Sequence, residues 1–125
     1  MPEIGTRIVA MKSGDDEHIY VFGHGVYEGI FPPPPYLMTS IGPVMANNPR
    51  IKLDNGEVVW GAECWWGSED GWEDNLKDWA PRTVVEVSVE DYRNNEKESL
   101  ENWKIKNPVD YANYVEYRKR QGWDE

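Results

Sequence analysis

Asn55-Gly56 lies between two short alternating segments, Ile51-Lys52-Leu53-Asp54 and Glu57-Val58-Val59-Trp60, and no other feature constrains the fold so firmly. A tight connection of this kind requires positive φ at both central residues, which Asn and Gly tolerate, so the segment predicts an antiparallel hairpin. Alternation puts Ile51 and Leu53 on one face and Lys52 and Asp54 on the other, so one side of this sheet faces water.

The preceding residues extend the sheet. Thr6–Met11 reads as a strand, Ser13-Gly14-Asp15-Asp16 as a turn, and His18–Phe22 as a second strand rich in β-branched and aromatic side chains. Gly23-His24-Gly25 interrupts the pattern before Val26–Ile30 resumes it, which marks a bulge or bend and predicts a curved, barrel-like sheet. Pro32 to Pro35 lack ladder donors, so the sheet pauses there. The loop that follows, to about Asn48, carries Ile41, Val44 and Met45 and is expected to cover something. After the hairpin the run continues to Gly67. Ser68 then caps an expected helix over Glu69–Trp79, and Thr83–Val87 is a further strand.

Two helices close the chain. Ser88 and Asp91 form a capping-box pattern that opens a helix over Val89 to Lys106. Asn107-Pro108 reads as the cap and first residue of another, ending at Gly122. Their apolar stripes are thin, so both helices are expected to pack on each other or on another subunit. The fold class is therefore α+β, an N-terminal curved antiparallel β-sheet followed by two C-terminal helices. We expect a single domain over 1–125, with 1–88 mainly sheet plus one short helix and 89–121 a helical pair.

Charge narrows the partners. Thirteen Lys and Arg face 23 Asp and Glu, a net charge of −10, which argues against general binding to a nucleic-acid backbone. The single cysteine, Cys64, excludes an internal disulfide and fits a reducing, cytoplasmic setting. No leader or membrane-spanning run is expected. Seven Trp and seven Tyr against two Phe suit interfaces and stacking pockets as well as cores.

Catalytic patterns are thin. Cys64 with His18 or His24 could form a nucleophile and base, but a lone Cys beside Glu63 and Trp65 reads better as a small buried hydrophobe. His18 and His24 are the only metal-ligand histidines, six residues apart across a glycine, and no metal is expected. The glycines at 23, 25 and 29 match neither the dinucleotide fingerprint nor the phosphate loop. No cofactor is predicted, and the chain is read as a non-enzyme. Arg50, Lys52, Trp60, Trp65 and Trp66 instead place cations and flat rings on one hairpin and its continuation. Arginine grips phosphate with parallel hydrogen bonds and indole stacks on a base. The competing reading is that the indoles form core and the cations are solvated. Arg118-Lys119-Arg120 is a second basic cluster, explained by helix-dipole compensation or by phosphate contact across a dimer.

Gly5-Thr6-Arg7-Ile8-Val9-Ala10, Tyr20 through Gly29, and Asn48-Pro49-Arg50 through Trp65-Trp66-Gly67 resemble a small protein family of bacteriophage genomes, the anti-Thoeris sponge proteins. The resemblance covers residues 5–70. It implies a phage anti-defence protein that sequesters a cyclic ADP-ribose type immune signal without cleaving it. It also implies a homo-oligomer, dimer or higher, in the cytoplasm of the infected bacterial host, with a pocket at a subunit interface. The ligand-binding candidates, chosen from their chemistry, are Arg50, Lys52, Trp65, Trp66, Arg118 and Arg120. The alternative is an acidic interaction protein that inhibits a host protein directly, as a nucleic-acid mimic for example.

Overall fold

The computed structural model describes residues 2–39, 41–72 and 82–123. In chain order the strands are β1 (Arg7–Gly14), β2 (His18–Phe31), β3 (Met38–Thr39), β4 (Gly42–Pro43), β5 (Asn48–Leu53), β6 (Val58–Trp60), β7 (Trp65–Ser68) and β8 (Thr83–Glu86). Helices α1 (Val89–Lys106) and α2 (Pro108–Gln121) follow. The fold is α+β: a mostly antiparallel open sheet, then two C-terminal helices. The residues gather in two compact units, one of residues 1–31 and 48–89 and the other of 32–47 and 90–125. The proline loop thus groups with the helices. The helix expected over Glu69–Trp79 falls mostly outside the described residues.

In the first unit the strands run β6-β5-β2-β1-β7, with β8 parallel to β2. β1 occupies one edge of β2 along its pairing from Ile19 to Val26. The other edge must therefore take both β8, at His18–Val21, and β5, at Gly25–Phe31. The parallel β8 pair departs from the all-antiparallel expectation, because β8 reaches β2 from far along the chain. The bulge expected at the glycines is present: Ala10 pairs with Gly23 but Met11 pairs with Val21, so Phe22 is the additional residue. Gly25 serves a different end. A Cβ there would strike the carbonyl oxygen of Lys52 and lie 2.8 Å from Leu53 Cα, so only glycine lets β2 and β5 approach this closely.

The hairpin forms with a different turn from the one expected. Gly56 has φ +90°, but no described non-glycine residue has positive φ. Gly56 N–H bonds Leu53 O at 3.0 Å and Leu53 N–H bonds Glu57 O at 2.8 Å, the pattern of a three-residue loop ending in a glycine bulge. Asn55 Oδ1 accepts from Glu57 N–H at 2.9 Å, so its side chain closes the loop without positive φ. The alternation holds: Ile51 and Leu53 are buried while Lys52 and Asp54 are exposed. Val9, Ile19 and Val21 form a core cluster with Met11 and Trp72, while Tyr27, successive to that register, stacks on Trp66 at 5.4 Å and 9°.

In the second unit the loop after Phe31 supplies the core that the thin helical stripes lack. Leu37 and Val44 are buried, and a Cβ on Gly42 would lie 3.3 Å from the Trp103 indole nitrogen. Trp103 meets Tyr111 and Tyr114 edge-on. Pro108 opens α2 and Gly122, at φ 71°, closes it by donating to Arg118 and Lys119 carbonyls. Asn107 does not cap α2 with its side chain. Its amide donates back to Trp103 O at 3.0 Å, satisfying a carbonyl at the end of α1.

Candidate ligand-binding face

The sheet order decides which sequence candidates can meet. Arg50 and Lys52 lie on β5, Trp65 and Trp66 on β7, with β2 and β1 between them. Three strand spacings make that roughly 14 Å at about 4.8 Å each, so one hairpin continuation in sequence becomes two sides of a sheet. Arg50 is also engaged: its Nε donates to Glu28 Oε1 at 3.0 Å and its guanidinium lies 3.6 Å from the Phe31 ring centroid. Lys52 is exposed. Trp66 is half-buried on Tyr27, whereas Trp65 is 75% exposed.

The second basic cluster divides too. Arg120 is exposed, but Arg118 is buried and donates from Nη1 to Pro33 O at 2.7 Å and from Nη2 to Trp123 O at 3.3 Å. Its fork holds one carbonyl of the proline loop and one just past the helix end, so within this unit Arg118 is a structural cation. Cys64 is buried as the hydrophobe reading expected. Its Sγ donates to Trp60 O at 3.4 Å. Burial, with a smaller contribution from Glu63, pushes its thiol up to about 12, which removes the thiolate a nucleophile needs.

What remains open to a ligand is Trp65 and its surroundings. Trp65 lines two clefts. One, of about 260 Å³, it shares with Val9, Met11, Trp66, Trp72, Ser68 and Asp70. The other, of about 370 Å³, it shares with Met11, Ile19, Lys12 and Arg82. Neither cation has an ion pair among the described residues. The exposed ring thus borders both an aromatic hollow with acceptors and a hollow with two cations. Sequence reasoning passed over Lys12 and Arg82 because they are 70 residues apart, each isolated from other cations. Only the β1–β7 pairing, which sets Met11 opposite Trp65, and the parallel β2–β8 pairing, which sets Thr83 opposite His18, bring them near one ring.

A charged network occupies another part of this unit. Arg7 grips Asp54 with two hydrogen bonds of 2.6 and 2.7 Å and reaches Glu69 at 3.0 Å, while His24 Nδ1 lies 2.7 Å from the same Glu69 oxygen. Its hydrogen bonds to the Asp54 and then the Glu69 carboxylate hold the Arg7 guanidinium still more firmly protonated. Arg7 holds Asp54 below the usual carboxylate range, and His24 followed by Arg7 does the same for Glu69. His18 lies 3.3 Å from Asp15 and stacks on Tyr20. No group of three His, Cys, Asp or Glu side chains among the described residues is placed to hold a metal ion. No described helix is long and apolar enough to cross a membrane.

Comparison with protein-family profiles, with curated proteins and with solved structures finds no match to this chain.

Proposed function

We propose that this protein is a non-catalytic capture protein that holds a small planar anion of nucleotide type against Trp65. The observation that carries this reading is an indole left 75% exposed that borders both an aromatic cleft and a cleft carrying Lys12 and Arg82. A large flat apolar surface kept in water is a common mark of a binding site. Stacking of a base on such a ring contributes about 1–3 kcal/mol. On a chain of net charge −10, an anion needs a local pair of cations, and Lys12 and Arg82 supply one. In its finer form the ligand is a cyclic ADP-ribose type immune signal, held uncleaved by a homo-oligomer in the cytoplasm of an infected bacterium. That form is supported by the resemblance of residues 5–70 to the phage sponges. Trp65 and Trp66 keep their place in it, and Lys12 and Arg82 take over from Arg50, Lys52, Arg118 and Arg120.

Calorimetric titration with cyclic ADP-ribose isomers, followed by recovery of the ligand after heat denaturation, tests the reading. Binding with intact ligand is expected, with Trp65→Ala weakening it by roughly 10- to 100-fold. Absence of heat, or recovery of a cleaved ligand, would refute it. A second reading, direct inhibition of a host protein, draws on the side chains of Ile41, Ile105 and Val109 in the helical unit, which are 90%, 76% and 71% exposed. It predicts a stoichiometric protein partner retained from bacterial lysate even by Trp65→Ala.

A further inference from the structure

The turn that lines the aromatic cleft is held from outside it. Strand β7 ends at Ser68, paired with Ile8, and the chain then turns so that Trp72 N–H bonds Glu69 O at 3.1 Å. Gly71, third in that turn, has φ +81°, a left-handed value that glycine adopts without strain. Asp70 and Trp72 both line the cleft beside Trp65. Trp72 also packs against the buried cluster of Val9, Ile19 and Val21.

Glu69, which opens the turn, does not itself line the cleft. Its backbone N–H bonds Arg7 O at 3.1 Å, and its Oε2 atom meets Arg7 Nη2 at 3.0 Å and His24 Nδ1 at 2.7 Å. Hydrogen bonds from His24 and then Arg7 hold this carboxylate below its usual range, so it is ionised and only accepts. Both nitrogens therefore donate to one oxygen, Arg7 from β1 and His24 from β2. Asp54, just past β5, fixes Arg7 in turn through two hydrogen bonds. The side chains of Arg7, His24 and Glu69 are between about a third and a half exposed, and ion pairs so open to water add little to stability. What they supply is position. The carboxylate sits one residue before Asp70 and three before Trp72, so the place where it is held fixes where the lining of the cleft begins.

We propose that Glu69 is a positioning residue for ligand capture at Trp65: clasped by Arg7 and His24, it holds the Glu69–Trp72 turn so that Trp72 and Asp70 stand ready beside the exposed indole. The clasp acts without touching the ligand, by removing the need to order the turn at the moment of binding. This inference rests on the reading of the Trp65 cleft as the binding site.

The test compares Glu69→Ala, Glu69→Gln and Asp54→Ala in the whole chain, by calorimetric titration with cyclic ADP-ribose isomers and by the nuclear magnetic resonance signals of Trp72 without ligand. Glu69→Ala should weaken binding roughly tenfold, the cost of ordering a loosened aromatic side chain and its turn. Glu69→Gln keeps an oxygen that both donors reach and should recover most of that loss. Asp54→Ala removes a comparable ion pair with no link to the turn and should bind as the parent does. In the ligand-free protein, Glu69→Ala should shift or broaden the Trp72 indole N–H signal and speed exchange of the Trp72 amide, and Asp54→Ala should do neither. Parent-like affinity in Glu69→Ala, an equal loss in Asp54→Ala, or an unmoved Trp72 signal would overturn the positioning role. A parent that binds none of the isomers would instead overturn the reading of the cleft, and the Trp72 signals would still decide whether Glu69 holds the turn.

Discussion

Arg118 sits near the end of a helix, where a cation compensates the dipole and could reach a phosphate, yet it is used for neither as a surface charge. Four consecutive prolines offer carbonyls and no N–H groups, and a guanidinium is all donor and no acceptor. The match explains why Arg118 is buried with Nη1 on Pro33 O and also 3.3 Å from the Tyr114 hydroxyl. Truncation to Ala would strip that Pro33 carbonyl of a charged donor. We expect Arg118→Ala to lower the unfolding free energy by about 2–4 kcal/mol, whereas Arg120→Ala should change it by less than about 0.5 kcal/mol. Urea titrations followed by circular dichroism would read both, and equal midpoints for the two variants would contradict the role given to Arg118. The sequence shows three adjacent cations here. It cannot show which one turns inward, because that depends on a loop some 85 residues away.

Among the strands, the glycines of β2 look alike in sequence and differ in what they permit. Gly23 opens space, while Gly25 closes it by allowing the Lys52 carbonyl to come up against its Cα. Gly25→Ala must push β5 away from β2 and is expected to cost about 2–4 kcal/mol by forcing a backbone shift. Gly67→Ala, with nothing within 4 Å of its Cβ and no positive φ, should stay within about 1 kcal/mol of the parent. Thermal denaturation distinguishes the pair, and similar melting points would remove the steric argument. The hairpin was legible because Asn-Gly between alternating segments is a local signal. Its turn type was not, since the Asn55 side chain supplied a hydrogen bond that relieved the backbone of positive φ. α2 was legible at both ends, yet Asn107 turned its amide to the helix behind it.

Taken over the whole chain, 23 carboxylates against 13 cations make the response to acid depend on which carboxylates are held in the folded state. Asp15 is held below its ordinary range by the N–H groups of Glu17 and His18, Asp54 by Arg7, and Glu69 by His24 and Arg7. A carboxylate whose folded value is depressed binds protons more weakly folded than unfolded. Its contribution is complete above the unfolded value, near about pH 4, and is lost as pH falls through the folded one. The melting temperature should therefore hold from about pH 7 to about 5 and fall below about 4. Arg7→Met, which releases Asp54 and leaves Glu69 held by His24 alone, should flatten part of that fall, and an unchanged acid profile in this variant would contradict the network. Sequence by itself determined most strands of the main sheet, though not β3 and β4 within the expected loop, together with the hairpin, the two helices, the faces of Ile51 and Leu53, and the aromatic and acidic character from which a binding role is argued. Each of these is set by neighbours a few residues apart. Only the tertiary structure decided that β7 crosses to the far side of β1, separating Trp65 from Arg50 and setting it near Lys12 and Arg82. The parallel β8 and the Arg7 contacts, 47 and 62 residues distant in the chain, were decided there too. Periodicity tells a strand which way its side chains point but not which strand lies beside it, because that choice rests on burying surfaces contributed by the whole unit at once.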